Sequence, residues 1–425
     1  MSKLSDLLAS KLLRSGILYS IALFVVGLGN YAFQGIIGRR LDKDEFGLVN
    51  GSLTLIAFLG LPLATVSTAI SHYIAHFRAN GDEARLQGLL SGCRRALFHL
   101  TLAGSVAAVL LVKPLSAFFH FPRSSLMLVT MVCVLISIWA AYANALCAGL
   151  GWFKRLAMIL LAAMLLRLAF GWVMVHQYAS AEIGVMATGV SLLANLALLR
   201  WRKELALKSQ PLSPWNREFA GYAVAAAAFV FGNFFFGGGD VLAAKRYFSE
   251  VEFGNYTAAG MLARALPMVV APMLTVLFTS RSAHRNVSVL REQLTLLGLY
   301  AVGLAVGATG LLVMKEFGVR MIFGAYTPAS AAMIGRLALA MVFVGLLQAL
   351  GTWALASRWF KLSLGYGFAG LVYWLTLLIW GKSPTIMLRL MPLGASLAFA
   401  LLFVFWIITL REHHATQQDE VRNAA

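Results

Sequence analysis

Four ionisable residues interrupt long apolar runs of this chain: Arg167, Arg264, Arg336 and Asp240. A charge near the centre of a bilayer costs roughly 2.5–3.5 kcal/mol on insertion scales, so such a position points to a task. A guanidinium stays protonated and offers a planar fork of donors that matches phosphate or pyrophosphate oxygens in pairs. Three arginines against one carboxylate would give a shared cavity a positive potential, which favours an anion. Arg264, Arg167 and Arg336 are therefore the candidate anion-binding residues. Asp240 is the candidate for coupling to a proton or sodium gradient, or else a structural counter-charge to Arg264 or Lys245.

Helical spacing gives these charges polar neighbours. Thr257, Gly260, Arg264, Pro267 and Ala271 share one face at 3.6 residues per turn, and Asn233, Gly237, Asp240 and Ala244 share another. Gly27, Asn30 and Gln34 form a third such stripe. Stripes of this kind suit either a water-filled cavity or close helix packing with polar groups paired across it. Asn30, Gln34 and Asn233 are the hydrogen-bonding candidates. No catalytic constellation accompanies them: there is no GxxxxGK[ST] phosphate loop and no HExxH or CxxC metal pattern. Cys93, Cys133 and Cys147 read as small apolar fillers, and Gly237-Gly238-Gly239 as a loosened helix. The expectation is a protein that is not an enzyme, with no metal and no cofactor.

The elements that must position these residues are membrane helices. Hydrophobic residues make up 60% of the chain and charged ones 12%, against about 25% charged in soluble domains. The mean hydropathy is +0.79. Apolar runs of about 18 to 25 residues recur, each long enough to cross a hydrocarbon core about 30 Å thick. No ten-residue alternating pattern suggests a membrane β-barrel. We place twelve spans at about 16–38, 48–71, 95–112, 126–149, 156–176, 183–200, 218–243, 255–279, 292–314, 329–350, 362–380 and 386–410. The fold class is thus all-α: a polytopic membrane protein with twelve transmembrane helices.

Two stretches 207 residues apart echo one another: Arg39-Arg40-Leu41-Asp42-Lys43-Asp44-Glu45-Phe46-Gly47 and Arg246-Tyr247-Phe248-Ser249-Glu250-Val251-Glu252-Phe253-Gly254. A second echo pairs short loops at Lys113–Phe119 and Lys315–Arg320. The chain therefore reads as two like halves: a six-helix lobe at 16–200, a basic linker at 201–217 and a second six-helix lobe at 218–410. An interfacial amphipathic helix at 1–15 precedes them, and a polar tail without fixed structure follows at 411–425. Six is even, so the lobes are parallel repeats, an organisation found in transporters that move one half against the other. Basic residues outside the spans divide 21 to 10 in favour of the side carrying both termini, which places the termini in the cytoplasm. Much of the net charge of +18 is this bias, and nucleic acid is not an expected partner.

The loop ending Glu45-Phe46-Gly47, a second span bent by Pro62, and the echo from Asp240 to Gly254-Asn255-Tyr256 resemble the polysaccharide (Wzx or O-antigen type) flippase branch of the multidrug/oligosaccharidyl-lipid/polysaccharide (MOP) exporter superfamily. That resemblance implies a MATE-like fold and a flippase in the bacterial inner membrane. It would carry an undecaprenyl-pyrophosphate-linked oligosaccharide across by alternating access for surface polysaccharide and lipopolysaccharide biosynthesis. Arg264, Arg167 and Arg336 would hold the headgroup, Asn30, Gln34 and Asn233 the sugars, and Asp240 the coupling ion. Implied partners are the lipid-linked oligosaccharide, membrane lipids, a polysaccharide polymerase and glycosyltransferases. Two other readings stand beside it: a cation-coupled exporter of small molecules with the same fold, and a non-transporting membrane scaffold.

Overall fold

A computed structural model describes residues 11–198, 217–283, 289–323, 328–357 and 359–424. Among these residues every regular element is a helix. In chain order they are α1 (Lys11–Arg40), α2 (Lys43–Ala79), α3 (Glu83–Phe118), α4 (Ser124–Gly149), α5 (Phe153–Tyr178), α6 (Ala181–Leu198) and α7 (Arg217–Gly237). There follow α8 (Gly239–Tyr247), α9 (Glu250–Ala283), α10 (Val289–Val313), α11 (Lys315–Phe323), α12 (Pro328–Ala356), α13 (Phe360–Trp380) and α14 (Pro384–Ala424).

Among the described residues nine helices are long and apolar enough to cross a membrane. The number reaches eleven when two bent pairs, α7 with α8 (47°) and α10 with α11 (74°), each count as one span. The remaining expected span, 255–279, falls within α9, whose 34 residues reach about 51 Å at 1.5 Å per residue. Large apolar side chains such as Val109 and Leu110 of α3 and Leu393, Leu397 and Leu401 of α14 are exposed, as lipid contact requires and water does not favour. The chain is a multi-pass membrane protein.

Three expectations change. The expected loop at Lys113–Phe119 is helical as far as Phe118, since α3 runs on through Pro114. Its counterpart in the second half forms a separate helix, α11, after the 74° bend. The tail is helical too: α14 continues to Ala424, because Glu412, Gln417, Gln418, Glu420 and Arg422 are good helix formers that extend an existing helix without a new nucleus. The expected interfacial helix and linker lie mostly outside the described residues.

The chain divides into two compact units at Ala223–Val224, the first carrying α1–α6 and the second most of the remainder. The 207-residue echo reappears in backbone geometry. In the first unit Leu41 N bonds Ile37 O at 2.8 Å and Phe46 N bonds Asp42 O at 2.8 Å; in the second Phe248 N bonds Ala244 O at 2.9 Å and Phe253 N bonds Ser249 O at 2.8 Å. All four residues of one turn have their partners 207 positions on. The structure adds an echo that the sequence reading missed. Trp152-Phe153-Lys154 and Trp359-Phe360-Lys361 start α5 and α13, where Trp152 N bonds Cys147 O and Trp359 N bonds Ala354 O, each at 2.9 Å.

The echoes diverge at their acids. Ser249 and Glu252 close a capping box on α9, with Ser249 Oγ donating to Glu252 Oε2 at 2.8 Å. In the first unit Glu45 turns elsewhere. It accepts from Arg123 Nη2 at 2.7 Å and from Ala181 N at 2.6 Å, while Arg123 Nε reaches Glu182 at 3.1 Å. This cluster ties the starts of α2, α4 and α6 together.

Candidate functional site

In the second unit the site starts from a broken helix. Glycine loses the most backbone entropy on becoming helical, and at Gly237–Gly239 the span turns by 47° between α7 and α8. Within a membrane, backbone groups freed by such a break need partners inside the protein. Side chains reach two carbonyls at the break: Arg264 Nε donates to Gly237 O at 2.9 Å, and Trp374 Nε1 donates to Gly239 O at 2.9 Å. A Cβ at position 239 would stand 2.6 Å from Trp374 Cδ1, so only glycine lets the indole approach.

The break puts Asp240 in the first turn of α8, where the helix dipole favours a carboxylate. Asp240 is 0% exposed and ion-paired with Arg264 of α9. Its Oδ2 accepts from Arg264 Nη2 and from the Tyr256 hydroxyl, both on α9. Its Oδ1 is buried with no hydrogen-bond partner among the described residues, as is the Tyr373 hydroxyl of α13. Lys245, in the last turn of α8, is buried with its ammonium 5.3 Å from the centre of the Phe253 ring.

Arg264 is thus held from behind by a carboxylate and a backbone carbonyl, yet keeps 21% of its side chain exposed. It borders a cavity of about 210 Å³ together with Gly237, Pro267, Met268, Met341, Val344 and Gln348. Arg264, Pro267 and Met268 come from one face of α9, and Met341, Val344 and Gln348 from one face of α12. At about 30 Å³ per water the cavity has room for several waters or one compact anionic group. Arg264 and Gln348 are the polar side chains in its wall, so an anionic group in the cavity meets the guanidinium directly.

The first unit holds a second polar cluster. Arg167 Nη1 donates to Asn30 Oδ1 at 2.7 Å, and its guanidinium carbon lies 4.1 Å from the centre of the Phe33 ring. One turn on, Gln34 Nε2 donates to Asn50 Oδ1 at 3.0 Å. The repeat relates the two clusters. Positions 207 after Asn30, Phe33 and Arg167 are Gly237, Asp240 and Trp374. Both units therefore place their polar groups at the same helix pair, with Arg167 where the second unit has the indole that bonds Gly239.

The sequence-derived candidates are not all brought together. Arg264 and Asp240 meet, and so do Arg167 and Asn30. Arg336 does not reach the cavity wall. It lies five residues before Met341 on α12, about 140° round the helix, and is exposed. Asn233 sits one turn before Gly237 and accepts from the Tyr366 hydroxyl at 2.8 Å. Tyr256, Trp374, Tyr373 and Gln348 were missed, since an aromatic or amide in an apolar run carries no local sign of function. The repeat register would have pointed to Trp374, opposite Arg167.

Fold and site together define a helical membrane protein with a charged cavity built at a broken span. By sequence the chain matches no known protein family and no curated protein. By fold it matches solved structures of MATE and MOP-superfamily transporters. An inward-facing multidrug-resistance MATE family transporter of the MOP superfamily aligns over 95% of this chain and 99% of its own length, at 13% identity and a TM-score of 0.69. The lipid II flippase MurJ, in an inward closed conformation, aligns over 92% and 87%, at 12% identity and a TM-score of 0.69. A MOP-superfamily transporter from Pyrococcus furiosus, described as having a binding pocket of reversed polarity, aligns over 94% and 95%, at 15% identity and a TM-score of 0.61. These are transporters and flippases rather than enzymes, and the chain shares their fold.

Proposed function

We propose that this protein is a flippase that moves an undecaprenyl-pyrophosphate-linked oligosaccharide from the cytoplasmic to the outer leaflet of a bacterial inner membrane by alternating access. In this reading both termini are cytoplasmic, and the cargo is an intermediate of surface polysaccharide such as O-antigen. A polysaccharide polymerase and glycosyltransferases are its working partners. The observation that carries the reading is Arg264: a guanidinium open to a cavity, in a fold shared with a lipid II flippase among others. Arg264 takes the pyrophosphate, and Arg167 and Arg336 are further anion contacts. Asn30, Gln34 and Asn233 hydrogen-bond sugar hydroxyls, and Asp240 couples the cycle to an ion gradient.

Arg264→Ala should abolish glycan export while the protein still inserts and folds, as judged by membrane yield and a monodisperse elution profile. Export at the wild-type level by that variant would remove the central claim. Deletion of the gene should build up a lipid-linked glycan on the cytoplasmic side, and lipid analysis of the deletion strain would also identify the sugar.

A second reading, a cation-coupled exporter of small apolar molecules, draws on Pro267, Met268, Met341 and Val344 in the cavity wall. Flexible thioethers adapt to varied ligands. Drug-stimulated proton exchange in proteoliposomes that disappears in Asp240→Asn would favour it over the flippase.

A further inference from the structure

We propose that Gln348 selects the cargo of the second unit: its carboxamide binds the sugar next to the pyrophosphate, while Arg264 takes the phosphoryl oxygens. The inference rests on the anion-cargo reading above and adds what the cavity discriminates. Gln348 and Arg264 face one cavity from different helices, α12 and α9. They also approach the same residue of the broken span. Arg264 Nε donates to Gly237 O at 2.9 Å, and the Gln348 amide nitrogen lies 3.5 Å from where a Cβ at position 237 would stand. Gln348 interrupts the otherwise apolar run 337–350 and makes no hydrogen bond among the described residues. A half-buried amide within a membrane costs free energy unless water or a bound group in the cavity meets it.

The internal repeat marks both side chains as additions to the scaffold. α2 and α9 begin 207 positions apart, at Lys43 and Glu250, and α4 and α12 end 207 apart, at Gly149 and Ala356. Each pair packs together in its own unit. In that register Arg264 and Gln348 correspond to Ala57 and Ala141. The second unit thus carries two long polar side chains where the equivalent helices of the first carry methyl groups. Their chemistry differs. A guanidinium only donates, which suits phosphoryl oxygens, whereas a carboxamide donates through nitrogen and accepts through oxygen. An ionised pyrophosphate offers acceptors alone and leaves the amide oxygen unmet. A sugar joined through its anomeric oxygen brings hydroxyl groups, or an acetamido N–H, beside the phosphoryl group. The amide oxygen then accepts from the sugar, and the amide nitrogen donates to a phosphoryl or hydroxyl oxygen. Gln348 thereby favours the loaded lipid carrier over the bare one.

The test uses the full-length protein in detergent and two probes, titrated calorimetrically: farnesyl pyrophosphate, and its conjugate with one N-acetylglucosaminyl residue on the terminal phosphate. Wild type should bind the conjugate about 3–10-fold more tightly than the bare pyrophosphate, the size of one hydrogen bond. Gln348→Met keeps the length of the side chain without its polar head and should bring the two affinities together. Gln348→Ala should do the same, so the result does not hang on one variant folding. A general packing defect would lower both affinities and leave their ratio unchanged. Equal affinities or a preference for the bare probe in wild type, or the wild-type ratio kept in either variant, would overturn the role of Gln348 and leave the cargo reading standing. Failure of wild type to bind either probe would overturn the cargo reading and this role with it.

Discussion

Arg167 and Arg264 are the same residue type in different settings, and their partners give them different work. Arg264 faces a carboxylate and a cavity; Arg167 lies over a phenyl ring and hydrogen-bonds an amide. A desolvated cation–π contact is worth up to about 2 kcal/mol and a hydrogen bond to a charged group about 1.5–3 kcal/mol. Arg167→Met should therefore lower the thermal unfolding midpoint in detergent more than Asn30→Ala does, because Asn30→Ala leaves the Phe33 contact in place. An unchanged midpoint in Arg167→Met would mean that the α1–α5 joint does not depend on this residue. The charges themselves were legible in the sequence, because an arginine in an apolar run is conspicuous. Their partners were not. Tyr256 and Tyr373 look like filler until the turn at Gly238 places a carboxylate beside them.

At the scale of elements, the decisive event is the break of the seventh expected span. Three glycines announced a weak point, but a triple glycine reads equally as a packing surface. The geometry of α8, with Asp240 in its first turn and Trp374 on its backbone, was settled by the helices around it. Close approach of backbones also governs α7 against α13. A Cβ at Gly367 would lie 2.6 Å from the carbonyl oxygen and 2.8 Å from the Cα of Ala228, both backbone atoms that cannot rotate away. Gly367→Leu should destabilise the protein by about 1–3 kcal/mol or more, seen as a lower unfolding midpoint and reduced membrane yield. Gly310→Ala, where a Cβ meets nothing within 4 Å, should be neutral or raise stability by up to about 1 kcal/mol. Equal effects of the two substitutions would contradict the packing argument. The second echo, at Lys113 and Lys315, gave one continuous helix and one bent pair from similar sequence. Local resemblance there did not determine whether the helix carried on.

At the scale of the whole molecule, the proposed twelve-span topology makes a prediction. In a variant with its three cysteines replaced, Lys382→Cys should react with a membrane-impermeant maleimide from outside the cell. Ser209→Cys in the linker should react only after the membrane is opened. Labelling of both from the same side would break the arrangement of spans on which the flippase reading depends. Membrane class, helical content, the 207-residue register and the charges that interrupt apolar runs were all readable along the chain. Those properties follow from hydropathy and periodicity, which are local quantities that every solution of the fold must respect. It took packing to pair Asp240 with Arg264, to set Arg264 rather than Arg336 in the wall of the cavity beside Gly237, and to rest Arg167 on Phe33. Such pairings depend on where helices far apart in the chain come to lie. They are selected by the cost of leaving a charge or a backbone group unpaired in a medium without water, a cost that arises only once the helices have packed.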